Sequence, residues 1–213
     1  MLTLYSYWRS SASYRVRIAL ELKGLAYRYV PINLLGNEQS GQGYTDRNPE
    51  GLVPLLDDEG VRLSQSVAIM EYLEEKFPEP ALMPHDIGAR GRVRALCQMI
   101  ACDIHPINNL RVLRYLVGPM AVSPENKDIW YAHWVRQGLM AVEQRLSESA
   151  SGLFCQGDAP GMADCLLIPQ VANAERMHVD LAGLSRVTEI HARCMALPSF
   201  QRAQPSACPD AHA

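Results

Sequence analysis

The sequence predicts a small α/β domain followed by an all-α domain. Three observations carry this. Residues 1–77 alternate short β-type runs with helical stretches in the order βαβ, then ββα. The stretch "PEPALMP", Pro78–Pro84, has the proline density of a linker. From Asp86 onward, apolar residues recur at helical spacing and no run reads as a strand. With 213 residues and 48% hydrophobic content, the chain is long and apolar enough for one or two cored domains. The predicted boundaries are 1–78 for the first domain, 79–85 for the linker and 86–213 for the helical domain.

Each element has its own signal. "LTLYSY" at the start reads as a strand. Ser10 or Ser11 then caps a helix whose apolar face holds Val16, Ala19, Leu20 and the stem of Lys23, and Gly24 stops it. "YRYVPI" is a second strand. "VPLLD" and "VRLS" flank the turn Asp57-Asp58-Glu59-Gly60 and read as a hairpin. Ser66 is expected to cap the helix "VAIMEYLEEKF", which Pro78 ends. In the second half, Val93, Leu96, Cys97, Ile100, Ala101 and Ile104 form one stripe on a long helix that Pro106 kinks. "IWYAHWVRQGLMAVEQRL" and "MADCLLIPQVANAERM" are further helices. The tail after Pro205 is small, polar and proline-containing, and is expected to fray.

Composition narrows the function. A net charge of −3 argues against a nucleic-acid surface. No apolar run reaches membrane-spanning length, so no membrane partner is expected. Met1–Leu4 lacks the basic and apolar regions of a signal peptide, which points to the cytoplasm. Cys97, Cys102, Cys155, Cys165, Cys194 and Cys208 form no CxxC pair and no zinc spacing, so no metal is expected. The cations are almost all arginine, with lysine only at Lys23, Lys76 and Lys127. Arginine is the better bidentate partner for carboxylates, a hint of anionic ligands.

Three motifs permit a specific chemistry. In "RSSASYR", Ser10 and Ser11 sit at a helix start, among free N–H groups and the positive end of the helix dipole. That environment suits a thiolate, although a serine there is also a good cap. In "NPEGLVPLL", Val53-Pro54 is a candidate cis bond before a strand, with main-chain groups open to an extended peptide. An ordinary turn proline is the alternative. In "LSQSVAIMEYL", Gln65 and Ser66 lie at a second helix start, a place that binds carboxylates. Together the three suit a peptide-like thiol with a free carboxylate at one end. Glutathione fits that description.

The blocks "SSASYRVRIALELKG", "PINL", "NPEGLVP", "QSVAIMEYLEEKFP", "DIHPINNLRVLRYL", "MADCLLIPQVANAERM" and "VDL" resemble the zeta class of glutathione transferases over nearly the whole chain. The resemblance implies a thioredoxin-like N-terminal domain, a C-terminal helical bundle domain and a homodimer. It implies Ser10 and Ser11 beside the glutathione sulfur, one of them its hydrogen-bond donor; either can serve, and Ser11 is favoured because it lies nearer the helix start. Val53 pairs its main chain with the cysteinyl part, Gln65 and Ser66 hold the γ-glutamyl carboxylate, and Gln39 reaches the glycyl end. Asp103 and Asn109 add to glutathione binding. His105 and Arg111 face the site from either side of the Pro106 kink.

The activity implied is cis–trans isomerisation of maleylacetoacetate or maleylpyruvate in aromatic ring breakdown, by reversible thiolate addition, bond rotation and elimination. Both substrates are short dicarboxylate enones, for which Arg9, Arg111 and Arg176 are the candidate carboxylate clamps and His105 a proton donor. Glutathione conjugation, dehalogenation or peroxide reduction on the same scaffold is the alternative, and a non-enzymatic binding protein of this family a second. The sequence departs from the family at two places. Ala12 stands where the family motif has cysteine, and Gly161 stands where an N-cap Thr or Ser is usual. The second change implies a small loss of stability.

Overall fold

The first strand, β1 (Leu2–Ser6), alternates Leu2, Leu4 and Ser6 inward, the period of a strand with one face covered. The computed structural model describes residues 1–148 and 152–211. β1 leads into α1 (Ser11–Leu22), β2 (Tyr27–Pro31), the short α2 (Gln42–Thr45), β3 (Leu55–Asp58), β4 (Val61–Ser64) and α3 (Ser66–Lys76). The sheet order is β2-β1-β3-β4, with β1 parallel to β2 and antiparallel to β3. Leu4 stands opposite both Tyr29 and Leu56, which puts it at the centre of the sheet, fully buried. The β3–β4 turn places Glu59 at φ 54° and Gly60 at φ 98°, the two positive values that a tight hairpin turn needs.

Helix α1 is buried on nearly every side, from Ser13 to Leu20 without a break. Such a helix needs partners all round, and it packs on both α3 and α9 (Pro198–Ala203). Its two buried arginines, Arg15 and Arg17, are two residues apart and so point to opposite sides. Gly24, at φ 64°, ends the helix with Leu25 N–H donating to Leu20 C=O and Gly24 N–H to Glu21 C=O. This is the double return bond that a left-handed glycine allows.

By contacts the chain divides into two units, residues 1–82 with Met195 onward, and residues 83–194. The sequence assigns everything after residue 85 to the helical domain. The structure instead groups the last segment with the sheet, because Arg17 Nε donates to Ala203 C=O at 2.9 Å and α9 packs on α1. Nor do residues 205–211 fray as expected. They form a helical turn, and Asp210 accepts from Trp8 N–H and the Tyr29 hydroxyl.

The proline-rich stretch is also tied down. Lys23 Nζ donates to Phe77 C=O at 2.7 Å and Pro80 C=O at 3.0 Å, and pairs with Glu74 at 2.7 Å. Both Glu74 oxygens accept from Leu82 N–H. The Lys23 side chain is 0% exposed and Glu74 is 7% exposed, so the pair sits where an unmatched charge is costly.

The second unit comprises α4 (Ile87–Gln98), α5 (Leu110–Val117), α6 (Pro124–Glu148), α7 (Met162–Arg176) and nearly all of α8 (Ser185–Met195). The long helix expected through Ile104 changes winding before Pro106. α4 ends at Gln98, a π-helical turn spans Met99–Ile104 and a 3₁₀ turn spans Pro106–Asn108. Proline has no N–H to donate, and the wider π turn takes up the mismatch upstream. At the start of α7, Asp164 is buried and accepts from Gly161 N–H at 2.8 Å and Cys155 N–H at 3.0 Å. Gly161 has no side chain to return the bond. No helix among the described residues is long and apolar enough to cross a membrane.

Two stability outcomes follow. Lys23→Met takes away the buried cation paired with Glu74, and urea titration should show a loss of about 3–5 kcal/mol. Gly161→Ser restores a capping hydroxyl at a position with φ −134°, and the same titration should show a gain of a few tenths of a kcal/mol.

Candidate active site

Ser10 and Ser11 divide the work at the start of α1. Ser10 is the cap, its Oγ accepting from Ser13 N–H at 3.2 Å. Ser11 is the first helical residue, and its hydroxyl has no hydrogen-bond partner among the described residues. One serine closes the helix while the other offers a free hydroxyl at its positive end. Arg9 is exposed, with its guanidinium 5.4 Å from the Trp8 ring centre.

Ser66 does not cap α3, contrary to the sequence expectation. The cap position belongs to Gln65, and Ser66 has already entered the helix. The Ser66 hydroxyl instead accepts from Arg15 Nη1 at 3.2 Å. Arg15 is 1% exposed, so a buried cation stands directly behind the start of α3. With its acceptor side occupied, the Ser66 hydroxyl can donate its proton outward. Gln65 lies at φ 67°, a conformation uncommon for a residue with a side chain and found at ligand clamps. Its Nε2 donates to Glu50 at 2.7 Å, and Ser64 donates to the other Glu50 oxygen at 2.8 Å. The Gln65 carbonyl oxygen is thereby aimed away from Glu50.

Val53 is joined to Pro54 by a cis bond. The carbonyl before it, on Leu52, is held by the Tyr44 hydroxyl and by Asn48 Nδ2. Burial pushes the Tyr44 hydroxyl up to about 12, so it stays a donor at neutral pH. Val53 packs with Tyr7, Ile32, Tyr44 and Leu55, with Trp8 against the same cluster. Gln39 lies in a 3₁₀ turn, Glu38–Ser40, with its Oε1 buried and without a partner. A Cβ on Gly51, at φ 60°, would stand 3.2 Å from the Gln39 carbonyl, so glycine permits the close approach of these two loops.

These contacts close a ring. Ser11 reaches Ser66 through Arg15 one turn on, Gln65 reaches the Glu50 turn, Gly51 meets Gln39, and Val53 packs beside the Tyr7–Trp8 approach to Ser10. The structure thus links the six glutathione-binding positions that the sequence predicts in the first unit. Glu50 and Arg15 complete the ring, and the sequence gives no role to Glu50.

In the second unit Asp103, His105, Asn109 and Arg111 lie at the bend, while Arg176 lies at the end of α7. His105 follows the π turn, and Asp103 within it is exposed. Asn109 caps α5, its Oδ1 accepting from Arg111 N–H at 3.2 Å, and its Nδ2 lies 3.5 Å from His105 Nε2. The Arg111 side chain is exposed and has no carboxylate partner among the described residues. Arg176 ends α7, also exposed, with Nη2 donating to Asn173 at 3.0 Å.

Residues 1–75 match the model of the glutathione S-transferase N-terminal domain. A probable maleylacetoacetate isomerase of Vibrio cholerae is 46% identical over 99% of this chain and 98% of its own. A maleylpyruvate isomerase described as a bacterial zeta-class glutathione transferase superposes with a TM-score of 0.95, at 43% identity, over 98% of this chain and 99% of its own. The chain belongs to the zeta class of glutathione transferases. A further zeta-like structure, a maleylacetoacetate isomerase from Methylobacterium extorquens AM1, has malonate and glutathione bound, with a TM-score of 0.95 at 39% identity over 99% of this chain and 100% of its own.

One packing feature of this zeta-class chain governs His105. A Cβ on Gly138 of α6 would fall 2.3 Å from Ile104 Cγ1, so the π turn sits directly on that glycine. Gly138→Ala should push the turn and the adjoining His105 outward. Urea titration should show a cost of about 1–3 kcal/mol, typical of overpacking.

Proposed function

We infer that the protein is a glutathione-dependent cis–trans isomerase of a short dicarboxylate enone, of the maleylacetoacetate or maleylpyruvate type. The observation that carries this is the free hydroxyl of Ser11 at the start of α1, in a chain with alanine at position 12. The site offers a place for a sulfur and no sulfur of its own there.

The first unit fits glutathione. Ser66, backed by Arg15, and the open N–H groups of α3 suit the γ-glutamyl carboxylate. The Gln65 oxygen beside Glu50 suits its ammonium. Val53 suits the cysteinyl main chain, and the orphaned Gln39 Oε1 suits an N–H at the glycyl end. Asp103 and Asn109 are assigned to the same ligand by family likeness.

When bound, glutathione supplies a nucleophilic sulfur for reversible addition to the cis double bond, rotation about the resulting single bond and elimination to the trans product, and it is regenerated. The chain's own residues do the rest. Ser11 donates to the sulfur, and the helix dipole favours its ionised form. A shift of about two units makes a thiol mostly ionised at neutral pH. Arg9, Arg111 and Arg176 hold the two substrate carboxylates, and charge-assisted bidentate bonds are the strong kind. His105 donates a proton toward the carbonyl oxygen where charge collects. The molecule acts as a homodimer in the cytoplasm on this reading.

Three experiments test it. With maleylpyruvate or maleylacetoacetate, product should form only with glutathione present, while total free glutathione stays constant; consumption of glutathione in proportion to product would mark conjugation instead. Ser11→Ala should lower kcat by about 10²-fold, the scale of a lost transition-state donor, whereas Ser10→Ala should chiefly cost about 1 kcal/mol of stability. Arg111→Ala and Arg176→Ala should lose isomerisation and keep glutathione affinity by calorimetry. Unchanged activity in both sinks the clamp.

A further inference from the structure

Trp8 is where the chain leaves the sheet for the active-site serines, and its main chain is held at both ends. Its C=O accepts from Arg17 Nη2 at 3.2 Å, and its N–H donates to Asp210 Oδ2 at 3.1 Å. The other Asp210 oxygen accepts from the Tyr29 hydroxyl at 2.6 Å. Tyr29 belongs to β2, beside Leu4 of β1, so the carboxylate bridges the sheet to the loop. Burial, and the bond to Asp210, push the Tyr29 hydroxyl well above its usual range, so it remains a donor at any working pH.

The loop itself is a turn. Ser10 N–H donates to Tyr7 C=O at 2.9 Å, with Trp8 and Arg9 as the two central residues. Fixing Trp8 therefore fixes the turn. Arg9 lies against the Trp8 ring, and Ser10 and Ser11 follow directly. The tail that carries Asp210 is anchored independently, through Ala203 C=O on Arg17 and the turn bonds Cys208 N–H to Pro205 C=O and Ala211 N–H to Cys208 C=O.

We propose that Asp210 is a positioning residue of the active site: its carboxylate grips Trp8 N–H and so sets where the Ser11 hydroxyl and the Arg9 guanidinium stand. This rests on the isomerase reading, in which Ser11 faces a sulfur and Arg9 a carboxylate. A residue near the end of the sequence thus bears on chemistry at its beginning. Asp210 touches no reacting atom.

The test uses the full chain with glutathione bound. The apparent pKa of the bound thiol is followed by thiolate absorbance, alongside kcat, KM and the thermal midpoint. Asp210→Ala should raise the thiol pKa by about one unit and lower kcat about tenfold, since small misplacements of catalytic groups are costly. Asp210→Asn, whose amide oxygen still accepts from Trp8, should return both to within about twofold of the parent. A lower thermal midpoint with unchanged thiol pKa and kcat overturns the proposal and leaves Asp210 a fold residue. Should Asp210→Ala not fold, Tyr29→Phe frees one carboxylate oxygen and must raise the thiol pKa in the same direction; no rise there also overturns it. If the parent protein binds no glutathione, the isomerase reading fails and this inference with it; if the parent holds a low thiol pKa that neither variant moves, this inference fails alone.

Discussion

The buried guanidinium of Arg17 is the constraint on which the first unit depends. A cation taken out of water must be met by oxygen on every N–H, or it costs several kcal/mol. Here it is met by the Ser6 hydroxyl, the carbonyls of Tyr7 and Trp8, and the carbonyl of Ala203. The Tyr14 ring lies 5.2 Å from its centre. These acceptors come from the end of β1, the loop after it and the end of α9. Satisfying one charge therefore fixes the strand end, the approach to the serines and the docking of the last helix together.

Arg15 plays the corresponding part on the other side of α1. It delivers its charge to Ser66 at the start of α3, while Glu50 holds Gln65 with the opposite sign. On the glutathione reading, the two ends of the γ-glutamyl head group would meet opposite charges, each presented through a neutral polar side chain. A neutral intermediary lets a ligand bind and leave without stripping water from a bare ion. A neutral amide also stands beside His105, where Asn109 Nδ2 lies 3.5 Å from Nε2.

Local signals were legible in the sequence. The Gly24 stop, the Glu59-Gly60 turn and the helix start at Ser10-Ser11 each depend on a few adjacent residues, and each stands where the sequence places it. What was illegible depends on distance along the chain. Nothing in "SYRVRIAL" says that Arg15 and Arg17 are buried on opposite sides, because the Arg15 acceptor and the α9 acceptor of Arg17 lie 51 and 186 residues away. Glu50 reads as a surface residue until Gln65 is folded back onto it. The tail looked like a frayed end because its anchors, Trp8 and Tyr29, are at the far end of the sequence. Pro106 announced a break, but not that the break would be a π turn packed on Gly138, which lies 32 residues further along the chain.

An enone with a cis double bond is an alkylating agent toward any accessible thiolate. The chain carries six cysteines, and five of them are buried. Burial raises the thiols of Cys155, Cys165, Cys194 and Cys208 above the ordinary range, which leaves them protonated and poor nucleophiles. Alanine at position 12 leaves no thiol beside the serines, so Cys102, exposed on the π turn, is the one exposed thiol. An enzyme built this way is spared progressive self-poisoning by its own electrophile, and any covalent scar left by prolonged turnover belongs at Cys102.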